Sequence, residues 1–199
     1  IREGIDRVPA PSLRPTTLAE HDIQYTIAPG SGHKTGFFAD QRETRQRVRR
    51  LAQGRRVLDL CCNTGGFAMN AARGGAHSVK AMDLDEVVLD LARANAKANG
   101  MDIRFEHADA FAALKECAKD AYDLIILDPP KWARGRGEVD AALEKYRDLN
   151  QLALHILPPG GILVTCSCSG ALTAPRFHAC VAESASRARR DARVLHTGG

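Results

Sequence analysis

Asp59-Leu60-Cys61-Cys62-Asn63-Thr64-Gly65-Gly66-Phe67 is the stretch on which the fold of this chain turns. It issues from a short apolar run, Val57–Cys61, and leads into a segment with helical spacing, Phe67–Arg73. A strand that ends in a glycine turn and passes straight into a helix lets backbone amides approach a ligand at the helix N-terminus. The Gly65-Gly66 spacing is not the GxGxxG of a dinucleotide fingerprint, so a nicotinamide-dependent oxidoreductase fits badly.

The strand-turn-helix rhythm continues downstream. Strands are expected at Ser78–Met82, Ile103–His107, Asp123–Leu127, Gly161–Cys166 and Arg193–His196. Helices are expected between them at Glu86–Asn99, Phe111–Lys119, Asp140–Leu157 and Ala174–Arg189, with Gly100 and Pro158-Pro159-Gly160 closing two of them. Asp123–Leu127 is almost wholly apolar, as a central strand should be. Such alternation implies an α/β fold, a mostly parallel central sheet with helices on both faces. Upstream, Asp40 to Gln53 reads as an Arg-rich helix stopped by Gly54, and Asp22–Ile27 as a short strand. Pro9, Pro11 and Pro15 mark a linker. Residues 1–39 are therefore expected to be linker and short β segment, and 40–199 one domain.

The 199 residues, 44% of them hydrophobic, suffice for one domain with a sizeable core, and 26% charged residues argue against disorder. No apolar run approaches the ~20 residues of a membrane span. The chain opens at Ile1 with no targeting pattern, so a cytoplasmic piece of a longer polypeptide is expected. The cysteines Cys61, Cys62, Cys117, Cys166, Cys168 and Cys180 lack zinc-site spacing and a secretory context, and reduced thiols are the expectation, with no metal. The net charge of +4 is concentrated in two Arg-rich segments, Arg42 to Arg56 and Arg187 to Arg193. These read either as solvated helix faces or as nucleic-acid contacts.

In a parallel sheet, ligands bind beyond the C-terminal strand ends. Those ends carry Asp59, then Asp83, Asp109, Asp128-Pro129-Pro130-Lys131, and Cys166 to Cys168. A carboxylate after the second of these strands can accept from both hydroxyls of a ribose, and Asp109 can meet an adenine amino group. Asp109 alone also reads as a helix N-cap. Acids in this order around one Gly-Gly turn are similar to the class I S-adenosylmethionine-dependent methyltransferases, which have a Rossmann-like fold. The resemblance goes further. His33-Lys34-Thr35-Gly36-Phe37-Phe38, Asp40-Gln41-Arg42, Thr64-Gly65-Gly66-Phe67, Asp128-Pro129-Pro130-Lys131 and Ser167-Cys168-Ser169-Gly170 occur in order. Together they resemble the bacterial large-subunit ribosomal RNA cytosine-5 methyltransferases that carry an N-terminal PUA domain, over about Asp22 to Gly170.

The resemblance implies S-adenosylmethionine as cofactor, large-subunit ribosomal RNA as partner, and possible homodimers. It implies a cap over the cofactor contributed by Phe37, Gln41 and Arg42, with Asp59, Asn63, Thr64, Gly65, Gly66, Asp83, Asp109 and Asp128 lining the pocket. It also implies a PUA module before Ile1 and a last sheet strand after Gly199. Cys61, Cys62 and Cys166 depart from the residues common in that family.

Carbon 5 of cytosine is too weak a nucleophile to attack a methyl sulfonium unaided. Addition of a thiolate at carbon 6 creates an enamine whose carbon 5 can take the methyl group. Cys166 and Cys168 both follow the fifth main strand, and spacing does not choose between them; two residues apart on a strand, they would face the same way. The resemblance chooses Cys168. Asp128 is placed to hold the base edge, at the ring nitrogen or the exocyclic amine. Lys131 and Arg136 offer charge to RNA, Arg136 in a mobile basic loop, and Trp132 either stacks on a base or packs against a neighbouring helix. Methylation of a guanine nitrogen, which needs no thiol, and a non-catalytic RNA-binding module are the alternative readings.

Overall fold

The computed structural model describes residues 15–27 and 37–198. His33-Lys34-Thr35-Gly36 and the prolines Pro9 and Pro11 lie outside these residues. Two short strands come first, β1 (Thr16–Glu20) and β2 (Ile23–Ile27), paired antiparallel. A 3-10 turn (Ala39–Gln41) leads into α1 (Arg42–Leu51). There follow β3 (Arg56–Leu60), α2 (Gly66–Arg73), β4 (Ser78–Asp83), α3 (Glu86–Ala98), β5 (Arg104–His107) and α4 (Ala110–Glu116). The chain continues with β6 (Leu124–Leu127), α5 (Val139–Ile156), β7 (Ile162–Thr165) and α6 (Ala174–Arg187).

The five strands β3 to β7 form one parallel sheet in the order β5-β4-β3-β6-β7. Strand alternation divides the core. Val57, Val79, Ala81, Leu124 and Ile126 face Val48 and Ala52 of α1, Phe67, Ala68 and Ala71 of α2 and Leu89 of α3. Leu58, Leu60, Met82, Ile125 and Leu127 face Ala110 and Leu114 of α4 and Leu149, Ala153 and Ile156 of α5. Both faces are covered, which is why β6 can be apolar without interruption. The strand order reverses between β3 and β6, and in sheets of this kind ligands bind outside the C-terminal strand ends at that point.

Two expectations change. The strand β1 was hidden in what reads as linker, because its turn is His21-Asp22 rather than a glycine pair, with His21 at φ +55°. The hairpin docks on α3 through two amides one turn apart. Asn95 and Asn99 each accept from a β2 amide, of Thr26 (2.8 Å) and Gln24 (2.9 Å), and return a bond to the same residue's carbonyl. The second change is at 193–196, which forms no strand: among the described residues no strand lies beside it, and Val194 and Leu195 stand 75% and 70% exposed. Backbone groups without a partner strand gain nothing over water by extending.

Candidate active site

The ligand-facing ends of β3, β6 and β7 form the floor of the candidate site and stay in register past their last residues. The amide of Asp128 donates to the Leu60 carbonyl (3.3 Å), and that of Cys166 to the Leu127 carbonyl (2.8 Å). Asp59 lies one residue inside β3, fully buried on the α2 side. One of its oxygens accepts from the Ala68 amide (2.9 Å), and Oδ1 has no partner. Burial first, and then the nearby Asp128, hold its carboxyl well above the usual carboxylate range. Asp128 is pushed up to about 6, mainly by burial and then by Asp40, against the pull of Arg45.

Above this floor the β3–α2 turn is wound tightly. Cys61, Asn63 and Gly65 all have positive φ (61°, 49° and 81°), alternating with residues that do not. The turn's amides are spent within it and on the next strand, Cys62 donating to the Met82 carbonyl (2.9 Å) and Gly65 to the Cys62 carbonyl (2.9 Å), and left-handed non-glycine residues of this kind concentrate where function demands them. Gly65 allows α2 to begin there: a Cβ would sit 3.4 Å from Ala92 and Phe105 besides bearing the wrong φ. Asp83 ties the turn to the next strand, its two oxygens accepting from the amides of Asn63 (2.8 Å) and Asp85 (3.0 Å). Thr64, buried, donates its amide to the Asn63 side chain (2.7 Å). Asp109 is the N-cap of α4, with Oδ1 accepting from Ala112 (3.0 Å). Each of these carboxylates keeps lone pairs beyond those bonds.

The segment expected to cap the cofactor comes near the same strand ends. Gln41 lies close to the Cys166 side chain. The half-buried Phe37 packs against Tyr25, with ring centroids 5.0 Å apart. Arg42 opens α1 and is exposed. The residue that organises this segment, Arg45, is not singled out by sequence reasoning. Its guanidinium is buried, forms a double hydrogen bond with Glu20 (2.7 and 2.6 Å), donates to the Phe38 carbonyl (2.9 Å) and lies 4.7 Å from the Phe37 ring centre. It was concealed within an arginine-rich run that otherwise reads as surface.

The two candidate thiols differ sharply. The strand ends at Thr165, so alternation does not govern them. Cys166 is held against the floor, where burial and Asp128 push its thiol up. Cys168 is exposed, and its thiol points to the Pro129 carbonyl (Sγ–O 3.7 Å), one residue from Asp128. Cys62 and Cys180 are buried, and Cys61 and Cys117 partly so. Lys131 is exposed. Trp132 is half-buried between Phe111 (6.1 Å) and Tyr146 (4.6 Å). Arg136 is exposed in a short 3-10 turn, Arg136–Glu138, where a loose loop was expected; the Glu138 carboxylate closes it by accepting from the Arg134 amide (2.7 Å).

This geometry suits S-adenosylmethionine. The acids Asp83, Asp109 and Asp128 gather at neighbouring strand ends, where they favour a cationic ligand, with Asp59 buried beneath them and holding the start of α2. The sequence matches the S-adenosylmethionine-dependent methyltransferase family over residues 8–196. It is 40% identical to "Ribosomal RNA large subunit methyltransferase I" of Aeromonas salmonicida, over 98% of this chain and 50% of that protein. The protein of the same name from Aeromonas hydrophila is 44% identical over 83% of this chain and 43% of its own length. The chain thus spans about half the length of the curated relatives it matches. Among solved structures, a Streptococcus mutans chain described as a SAM-dependent methyltransferase superposes with a TM-score of 0.76 at 28% identity, over 89% of this chain and 47% of that one. A methyltransferase structure complexed with SAH gives 0.76 at 29% identity, over 88% and 47%.

Proposed function

The chain belongs to the S-adenosylmethionine-dependent methyltransferases, and from that premise we propose that it methylates carbon 5 of a cytosine in large-subunit ribosomal RNA through a covalent adduct on Cys168. The observation that carries this reading is the pairing of an exposed thiol with a half-buried carboxyl: Cys168 reaches the carbonyl of the proline that directly follows Asp128. The names of the relatives support ribosomal RNA as the substrate class.

The bound cofactor supplies a methyl group on a sulfonium. In this reading Asp59, Asn63, Thr64, Gly65, Gly66, Asp83 and Asp109 hold it, under a cap formed by Phe37, Gln41 and Arg42. A cytosine extracted from its stack enters beside Cys168. The thiolate adds to carbon 6, carbon 5 takes the methyl group, the carbon-5 proton is lost, and β-elimination frees the thiolate. Asp128, in its protonated form, donates to the ring nitrogen of the Watson–Crick edge and so offsets the negative charge that thiolate addition builds there. Lys131, Trp132 and Arg136 meet the surrounding RNA. Residues 40–199 are the catalytic domain of this account, and residues 1–39 carry the linker and hairpin that lead to the cap. Action on ribosomal RNA implies a cytoplasmic enzyme.

Incubation with labelled cofactor and large-subunit ribosomal RNA, followed by bisulfite mapping of 5-methylcytosine, tests the reading. Cys168→Ala loses activity on the order of 10³-fold or more, whereas Cys166→Ala keeps most of it. Methylation of a guanine nitrogen by a fully active Cys168→Ala protein would contradict the proposal.

A further inference from the structure

The loop that bears Cys168 has a second anchor, which lies in neither the cofactor turn nor the Asp128 segment. Tyr146, in the second turn of α5, is completely buried. The Ser167 hydroxyl donates to its phenolic oxygen (3.0 Å), and the Ser169 hydroxyl hydrogen-bonds the same oxygen (3.2 Å). One phenol therefore grips the residues on both sides of Cys168. Ser169 Oγ also accepts from the amide of Ala133 (3.1 Å), which joins the loop to the segment that follows Asp128-Pro129-Pro130. The ring adds a second attachment to that segment, since Trp132 packs on it at 4.6 Å, and Phe177 of α6 closes the far side at 5.2 Å.

The two segments that must face each other across the base, one with Asp128 and one with Cys168, thus converge on a single side chain. One direct tie between them, the thiol contact to Pro129, is given up once the sulfur turns to a substrate. The Tyr146 bonds do not involve the sulfur and survive that movement. Burial pushes the Tyr146 phenol up, so it keeps its proton and acts through hydrogen bonds and packing.

Resting on the Cys168 reading above, we infer that Tyr146 is a positioning residue which fixes the Cys168 sulfur relative to Asp128 and to the base held there. Positional errors of about 1 Å in a reacting group cost up to about 10²-fold in rate, without a matching loss of binding. Tyr146→Phe keeps the ring and its aromatic contacts and removes only the oxygen that both serines share. Ser167→Ala removes one end of the same arrangement and carries the test where Tyr146→Phe does not fold.

The experiment is single-turnover methyl transfer by the full-length protein on large-subunit ribosomal RNA, with Cys168→Ala run in parallel. KM for RNA and calorimetric affinity for S-adenosylmethionine are measured on each variant. Tyr146→Phe is expected to lower the methyl-transfer rate by about 10- to 100-fold, with RNA KM and cofactor affinity within about twofold of wild type. A wild-type rate in Tyr146→Phe, beside an inactive Cys168→Ala, overturns the positioning role and leaves the cysteine reading intact. A rate loss matched by loss of RNA or cofactor affinity overturns it too. An active Cys168→Ala removes the cysteine reading, and the positioning role with it.

Discussion

Asp128 shows how one residue can oppose the stability of the fold that holds it. Its carboxyl is pushed from the ordinary 3.8 to about 6, chiefly by burial. A raised carboxyl pKa means that the folded state favours the protonated form. The cost to stability is therefore absent below about pH 3.8, grows as the pH rises toward 6, and is complete above that. Two pKa units correspond to on the order of 3 kcal/mol. Asp128→Asn is expected to melt higher than wild type at pH 8, to lose that advantage near pH 4, and to be catalytically impaired at both. Melting curves at the two pH values check this; a variant that is less stable at pH 8 contradicts it. Of the residue-scale detail, the acids at the strand ends were legible because their positions follow from strand–helix alternation alone. The difference in exposure between Cys166 and Cys168 was not legible from spacing. It depends on β7 ending at Thr165, which releases the two side chains from strand alternation.

Among the elements, the α1–α2 contact is the least tolerant of change. Gly74 ends α2 with an ordinary φ of −78°, yet a Cβ there would fall 2.0 Å from the Arg49 carbonyl oxygen in the last turn of α1. Two backbones meet at this point, and neither can yield as a side chain would. Gly100, which closes α3 at φ +65°, has open space around it. Gly74→Ala is expected to cost about 3 kcal/mol or more through overpacking, and Gly100→Ala about 1–2 kcal/mol through backbone conformation alone. Urea denaturation should show the larger fall in midpoint for Gly74→Ala, with both slopes unchanged; equal midpoints would contradict the distinction. In sequence Gly100 reads as a helix stop and Gly74 draws no comment, since only the tertiary contact with α1 sets it apart. The core strands and helices were readable because their period and caps are local. The hairpin was not, since β1 has little alternation and the Asn95 and Asn99 amides that receive β2 are about 70 residues from it. Tyr146 escaped for the same reason: its hydroxyl partners lie 21 and 23 residues away.

Across the whole molecule, charge is divided between structure and surface. In the first arginine-rich segment, Arg45 pairs with Glu20, Arg49 with Asp22 and Arg56 with Asp123, so part of the apparent basic patch holds the fold together. Arg42, Arg47 and Arg50 are exposed on α1, and Lys131 and Arg136 are exposed beyond the end of β6. Asp83 and Asp128 thus sit half-buried at the strand ends while these bases face solvent, an arrangement suited to a cationic cofactor at the strand ends and a polyanion outside. Among the described residues no helix is long and apolar enough to cross a membrane. The central claim is that Cys168 becomes covalently joined to the target cytosine. RNA that carries 5-fluorocytidine tests it most directly, because fluorine at carbon 5 cannot leave as a proton and the methylated adduct persists. Incubation of the full-length protein with this RNA and S-adenosylmethionine, followed by digestion and mass spectrometry, is predicted to yield a methylated fluorocytidine linked to the peptide containing Cys168, and to that cysteine alone. An adduct on Cys166, or no adduct from protein that methylates unmodified RNA, would contradict the account.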